Sequence, residues 1–171
     1  GTVITMHIGS GTRTVRPSDD CPTIVTAAMI SANSATSMID FLFSGVLVRY
    51  PNLKLMYAES QIGWIPYYLE RADDNYKTHM WAQGEERLPE PPSYYYHRQV
   101  FSCFFKDTAG MKLLDEVGID NVLFETDYPH SDGTFPRSKE VAHELFGHLD
   151  PKVVHKLARG NAIKLFNLPF D

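Results

Sequence analysis

The run NVLFETDYPHSDGTFP, residues 121–136, decides how this chain is read. Its first part, Asn121 to Thr126, is apolar and β-branched like a buried strand, and Asp127 stands at the C-terminal end of that strand. Two prolines, a glycine, a histidine and a second aspartate then crowd into one turn. Turn chemistry explains the Pro, Gly and Asp content, but it does not readily explain Glu125-Thr126-Asp127 closing an apolar strand.

Upstream, the same alternation of apolar strand and helix recurs. Gln99 to Phe105 reads as a strand, and Ala109 to Val117 as a helix closed by Gly118. Leu53 to Ala58 is a short strand that ends at Glu59-Ser60. Before it, Thr23 to Arg49 has helical spacing in one long or two short helices, broken by Pro51-Asn52. Val3 to Ile8 is a strand that runs into Gly9-Ser10-Gly11, with His7 at its C-terminal end. From Ile62 the pattern is helical again, with Pro66 tolerated in the first turn. Gly84 to Tyr96, with Pro89, Pro91, Pro92 and a run of tyrosines, reads as an irregular surface excursion. Downstream, Ser138 to Leu149 and Pro151 to Leu165 are closing helices, the second started by Asp150-Pro151.

Strands that alternate with helices imply a parallel sheet, because parallel neighbours need crossover connections. The expected fold class is therefore α/β with four βα units in a single domain, residues 1–171. A closed (β/α)8 barrel needs eight strands and usually about 250 residues, so four units make half a barrel or an open sheet. A flavodoxin-like open sheet is disfavoured, since no Gly-rich phosphate loop opens a helix.

The chain has 171 residues, 43% hydrophobic and 22% charged, with a net charge of -5 and a pI near 5.8. Without a basic stripe to neutralise phosphates, the charge argues against a nucleic-acid or polyanion partner, and a small-molecule substrate is expected. Cys21 and Cys103 have no motif spacing, so a disulfide scaffold is not expected and a reducing cytoplasm is. No apolar run approaches the ~20 residues of a membrane span. The opening Gly1 followed within a few residues by a strand suggests a missing leading segment.

His7, Glu59 and Asp127 each end a different strand, and loops at strand C-termini form the site in parallel α/β folds. Imidazole and carboxylate are ligands for zinc, manganese or iron. A strand-end His or Asp also serves as a cap or turn residue, a reading that weakens when three coincide. His130 is positioned to face substrate or support Asp127, or to sit in a surface turn. Trp64 suits a pocket or an interface, with core packing the commoner use of a single aromatic.

The motif ETDYPH at 125–130 resembles the amidohydrolase-related family, in the branch of aminocarboxymuconate-semialdehyde and hydroxybenzoate decarboxylases. The strand-end His7, the strand LKLMYAES leading to a helix with Pro66 and Arg71, and the tail LARGNAIKLFNL at 157–168 support it. The resemblance spans nearly all of this chain and only the C-terminal half of a family member. It implies that His7 and Asp127 bind one divalent metal, usually zinc, and that Asp127 also handles protons of the metal-bound water. It also implies that Arg71 meets a substrate carboxylate, in some members across a dimer interface; an Arg paired with helix neighbours is the plainer reading. The family's H-x-H or E-x-H pair has no counterpart here, and Glu59 stands where many members have a catalytic His. The expected function is a metal-dependent hydrolase or decarboxylase-like C–C lyase acting on a small carboxylated or aromatic compound, with Asp127, Glu59 and His130 in catalytic roles. The competing expectation is a non-catalytic half-barrel that self-associates or binds a partner, because four strands leave two open edges.

Overall fold

Four short strands carry the apolar runs: β1 (Val3–His7), β2 (Lys54–Ala58), β3 (Val100–Phe104) and β4 (Val122–Phe124). They form one parallel sheet in the order β1-β2-β3-β4. This computed structural model describes residues 2–9, 15–83 and 88–170; readings that fall on Gly1, Ser10, Gly11 and 84–87 lie outside the described residues. The expected α/β class with four parallel βα units is what the chain adopts.

The segment Thr23 to Arg49 is three helices: α1 (Thr23–Ala28), α2 (Ala32–Phe43) and α3 (Val46–Arg49). The break before α3 comes from Gly45, whose φ of 72° a side chain would resist. Helix α4 (Ile65–Thr78) starts later than its pattern suggests, with Pro66 in its first turn. The surface excursion expected over Gly84 to Tyr96 needs correction, because α5 (Pro92–Gln99) begins inside it. Pro91 is extended and Pro92 takes the first helical position, so these prolines mark a helix start. Helical spacing then sends Tyr95, Tyr96 and Gln99 into the core and leaves Tyr94 exposed, so two of the three tyrosines are not surface features.

After β3, the helix expected over Ala109 to Val117 is split into α6 (Thr108–Lys112) and α7 (Leu114–Val117). The chain ends in α8 (Ser138–Phe146), α9 (Pro151–His155), a π-helical turn over Lys156–Gly160 and α10 (Asn161–Phe166). Asp107 caps α6 and Asp150 caps α9, each capping bond contributing about 1 kcal/mol. None of the described helices is long and apolar enough to cross a membrane.

Alternation along the strands divides the core in two. Leu55, Tyr57, Val100, Phe104 and Val122 join helix residues such as Met38, Leu42, Ile65 and Phe146 in the larger cluster. Met56, Cys103 and Leu123 form a small second cluster, covered in part by Ala162 and Leu165 of α10.

Three buried amides fasten the N-terminal ends of the strands. Gln99 Nε2 donates to the Tyr50 and Leu53 carbonyls, both at 3.1 Å, and anchors the entry to β2. Asn121 Nδ2 donates to Val100 O at 2.7 Å and His97 O at 3.0 Å, joining the entry of β4 to that of β3. Asn161 Nδ2 donates to Ile119 O and Val122 O, both at 2.7 Å, and pins α10 beneath β4. The Gly160-Asn161-Ala162 core of the tail is thus structural, since its amide satisfies carbonyls that the sheet leaves unpaired.

Candidate active site

Parallel register brings the strand exits level with one another. His7 pairs with Ala58, Phe104 pairs with Phe124, and the Glu125 N–H continues the ladder by donating to Phe104 O at 3.0 Å. Where the chain leaves the sheet, three non-glycine residues adopt left-handed backbone: Glu59 and Gln61 at φ 58° and Asp127 at φ 54°. Each such conformation costs on the order of 1–3 kcal/mol and persists only where its surroundings hold it.

The bonds that hold it come from side chains on neighbouring turns. The Glu125 carboxylate accepts the Glu59 N–H at 2.7 Å. Asp107 Oδ2 accepts the N–H groups of Ile62 and Gly63 at 2.7 and 2.6 Å while its Oδ1 caps α6. Gln61 Oε1 accepts the Phe105 N–H at 3.3 Å, and Trp64 Nε1 donates to Ser60 O at 2.8 Å. On the turn after β4, the His130 N–H donates to Asp127 O at 2.8 Å and the Thr134 N–H to Thr126 O at 2.9 Å.

Within this frame the ionisable groups converge. His7 Nε2 lies 2.7 Å from Glu59 Oε1, and His130 Nδ1 lies 3.1 Å from Asp127 Oδ2. Ligand atoms of Glu59, Asp127 and His130 all fall within 4.8 Å of one another. The carboxylates are nearly covered, with side-chain exposures of 16% for Glu59 and 10% for Asp127, whereas the rings of His7 and His130 face out at 62% and 67%. Glu59, Asp127 and His130 line a cavity of about 350 Å³ whose apolar wall includes Ile8, Ala28, Ile30 and Phe105.

The His7–Glu59 contact tests whether these residues suit a cation. His7 Nδ1 lies 2.7 Å from the Ile8 carbonyl, which can only accept, so Nδ1 carries the proton. On a neutral ring, the Nε2 lone pair then points at a carboxylate oxygen 2.7 Å away. Two acceptors at that distance need a proton or a metal ion between them. The Ile8 carbonyl, then the Glu59 carboxylate and more distantly Asp127, hold the His7 ring above its ordinary range against the opposing effect of burial. An imidazole oriented through Nδ1 by a backbone carbonyl, beside two carboxylates and a second imidazole, is a donor set that a divalent ion accepts.

Arg71 and Trp64 are not among the cavity's lining residues. Arg71 pairs with Asp74 at 2.8 Å on the exposed face of α4, and Trp64 packs against the larger core. Glu125, by contrast, has no role in the reading of the sequence, yet it holds the Glu59 backbone. Burial, with the Glu59 and Asp127 charges adding to it, pushes its carboxyl up to about 7 against the relief of the Glu59 N–H. Its place directly ahead of Thr126-Asp127 is the one signal the sequence offers for it. Asp107 has a weaker one, an Asp just before a helical pattern.

Comparison with known proteins agrees with this architecture. The amidohydrolase family model matches residues 1–168. Among solved structures, the chain is similar to 5-carboxyvanillate decarboxylase from Sphingomonas paucimobilis, with a TM-score of 0.69, 22% identity, and 81% of this chain and 41% of that one covered. It is similar to 2,6-dihydroxybenzoate decarboxylase from Rhizobium, with a TM-score of 0.70, 18% identity, and coverage of 98% and 52%. It is also similar to a dihydroxybenzoic acid decarboxylase from Polaromonas sp. JS666 solved with manganese and 2-nitroresorcinol, with a TM-score of 0.67, 20% identity, and coverage of 93% and 49%. The chain thus spans about half the length of these structures. With four parallel βα units and a family match over nearly its whole length, this chain belongs to the amidohydrolase family.

Proposed function

We propose that this chain carries the C-terminal half of a metal-dependent carboxy-lyase site for a small hydroxylated aromatic carboxylate. One observation carries the reading: Glu59, Asp127 and His130 line one cavity at the strand C-termini, and His7 joins them through its 2.7 Å contact with Glu59. His7 and Asp127 would hold a divalent ion, with the Glu59 carboxylate, 2.7 Å from His7 Nε2, as a further donor. Manganese is the first ion to try because a similar solved decarboxylase holds it, with zinc and iron next. When bound, the ion supplies Lewis-acid polarisation of substrate oxygens.

The chain's own residues supply the rest. The apolar wall from Ile8 to Phe105 receives the ring and excludes water. Asp127, in contact with His130, delivers a proton to the ring carbon as the carbon–carbon bond to the carboxylate breaks and CO2 leaves. His130 restores that proton from solvent, as its exposure allows. Trp64 acts as a positioning residue, holding the Ser60 carbonyl of the turn that carries Glu59. Arg71, outside the cavity, would reach substrate only from a neighbouring subunit. Residues beyond this chain, from an upstream half, would complete the site. The free Cys21 and Cys103 suit a cytoplasmic setting.

The test is metal analysis after manganese or zinc loading, with CO2 release from 2,6-dihydroxybenzoate followed in parallel. Bound metal should fall in His7→Ala and Asp127→Asn. Metal content unchanged in both variants would overturn the assignment. Hydrolysis is the second reading, favoured by Glu59, a carboxylate placed to act as general base. A panel of small amides and lactones would separate the two. The non-catalytic alternative draws on Ile4 of β1, 42% exposed on an edge strand, and predicts a self-associating chain without metal.

A further inference from the structure

The turn after β2 places Gln61 two residues beyond Glu59, in left-handed backbone at φ 58°. A glycine would hold that conformation without strain, whereas a residue with a Cβ holds it at a cost on the order of 1–3 kcal/mol. Bonds on both sides fasten the backbone there. Ser60 Oγ donates to the Gln61 carbonyl at 3.2 Å, and the next two N–H groups, of Ile62 and Gly63, end on the Asp107 carboxylate. A long amide side chain thus springs from a fixed base.

The orientation of that amide follows from its one partner. The Phe105 N–H, which can only donate, lies 3.3 Å from Oε1, so the oxygen end faces the exit of β3 and Nε2 is turned away. Nε2 has no hydrogen bond among the described residues and is not enclosed. Gln61 lines the cavity that Glu59, Asp127 and His130 share, and its two N–H groups are available there. Ionised, Glu59 and Asp127 can only accept hydrogen bonds, so the amide supplies a donor that they lack. Completing the barrel leaves this arrangement in place, because the packed interior lies below the strand-end loops and ligands bind at the mouth that those loops form. The walls flanking Gln61, Ile30 after β1 and Phe105 after β3, belong to this chain.

We propose that Gln61 is a substrate-binding residue whose Nε2 donates to the carboxylate of the aromatic substrate and so favours carboxylated over uncarboxylated rings. The identity of the ligand rests on the carboxy-lyase reading given above. A carboxylate accepts only, which matches a nitrogen that only donates, and a hydrogen bond to a charged acceptor is the stronger kind. An arginine or lysine at this position would pair with Glu59 or Asp127, whereas the neutral amide stays available to substrate.

The experiment is calorimetric titration of the manganese-loaded chain with 2,6-dihydroxybenzoate and with resorcinol, which has the same two ring hydroxyls and no carboxylate. The wild-type chain should bind the carboxylated ring more tightly. Gln61→Met keeps the length of the side chain without its N–H groups and should weaken 2,6-dihydroxybenzoate about tenfold. Gln61→Glu keeps an oxygen for the Phe105 N–H but loses the donor, and should weaken it further. Resorcinol should stay within about twofold of wild type in both variants. If Gln61 served only to hold Phe105, Gln61→Glu would bind both compounds like the wild type. Metal content, measured on the same samples, should match the wild type in both Gln61 variants. Metal content indifferent to His7→Ala and Asp127→Asn would count against the metal assignment and leave the Gln61 comparison standing. Circular dichroism checks that the variants are folded. Unchanged binding of 2,6-dihydroxybenzoate in Gln61→Met, an equal loss for resorcinol, or a wild-type chain without preference for the carboxylated ring would overturn the proposal.

Discussion

The two ends of the sheet solve the same problem with opposite chemistry. At the strand N-termini, three neutral amides, Gln99, Asn121 and Asn161, donate to carbonyls that would otherwise be unpaired. At the C-termini, the turns are held largely by carboxylates: Glu125 on the Glu59 N–H, Asp107 on the Ile62 and Gly63 N–H groups. Amides seal without charge and tolerate burial. Carboxylates seal while leaving charge in place, at the cost of mutual repulsion and a raised carboxyl at Glu125. Left-handed backbone adds to that cost at Glu59, Gln61 and Asp127, against Asn167 after α10 at the other end. The difference separates an end sealed by neutral amides from one that gathers charge, where the proposed chemistry would sit.

Breaking the chemical end should give the largest effect. Under the proposed function, Glu59→Gln or Asp127→Asn lowers turnover by on the order of 10² to 10⁴. Relieving carboxylate repulsion should leave the metal-free melting temperature unchanged or higher, read by thermal denaturation in chelator. A large loss of stability in either variant would erase the contrast.

Breaking the sealed end should do the reverse. Asn161→Ala strands the Ile119 and Val122 carbonyls and should cost about 2–4 kcal/mol. In a chain of this size that lowers the melting temperature by roughly 5–15 °C, while metal bound per folded molecule stays constant.

A smaller effect is expected at Gly110, where an added Cβ would collide with Ile62 Cγ1 and sit 2.8 Å from Asp107 Oδ2. Gly110→Ala should cost about 1–3 kcal/mol and also disturb the turn that carries Glu59. Denaturant unfolding with a metal-binding assay on the folded fraction checks both.

The smallest effect sharpens the comparison through pH. His97, on α5 at the amide end, is held below its ordinary range by burial, against the pull of Asn121, Asp73 and Glu116. Its contribution to stability is therefore present above the unfolded value near 6.5 and is lost as pH falls through the folded one. His97→Gln should flatten the acid limb of stability between about pH 7 and 5. An unchanged acid limb would mean the ring titrates alike in folded and unfolded chains.

Much of the fold is legible in the sequence because short apolar, β-branched runs and turn residues are local signals. All four strands can be read from it, within one or two residues at most ends. Pro91-Pro92 misleads because prolines signal both loops and helix starts, and only the burial of Tyr95 and Tyr96 separates the two. The gathering of His7, Glu59 and Asp127 at one rim follows from their places at strand ends. Glu125 and Asp107 escape such a reading because their partners are backbone N–H groups 66 and 45 residues away at Glu59 and Ile62.

By itself, the order of apolar strands and helices determined a parallel α/β sheet, since crossover connections leave few other arrangements. The motif ETDYPH likewise marked where charged groups leave that sheet. Which donors meet was settled by folding: that His7 faces Glu59 across 2.7 Å, and that Glu59, Asp127 and His130 line one cavity. The physical reason is range. Strand periodicity is written in adjacent residues, whereas electrostatic neighbourhoods are made by side chains that only folding brings within a few ångströms of each other.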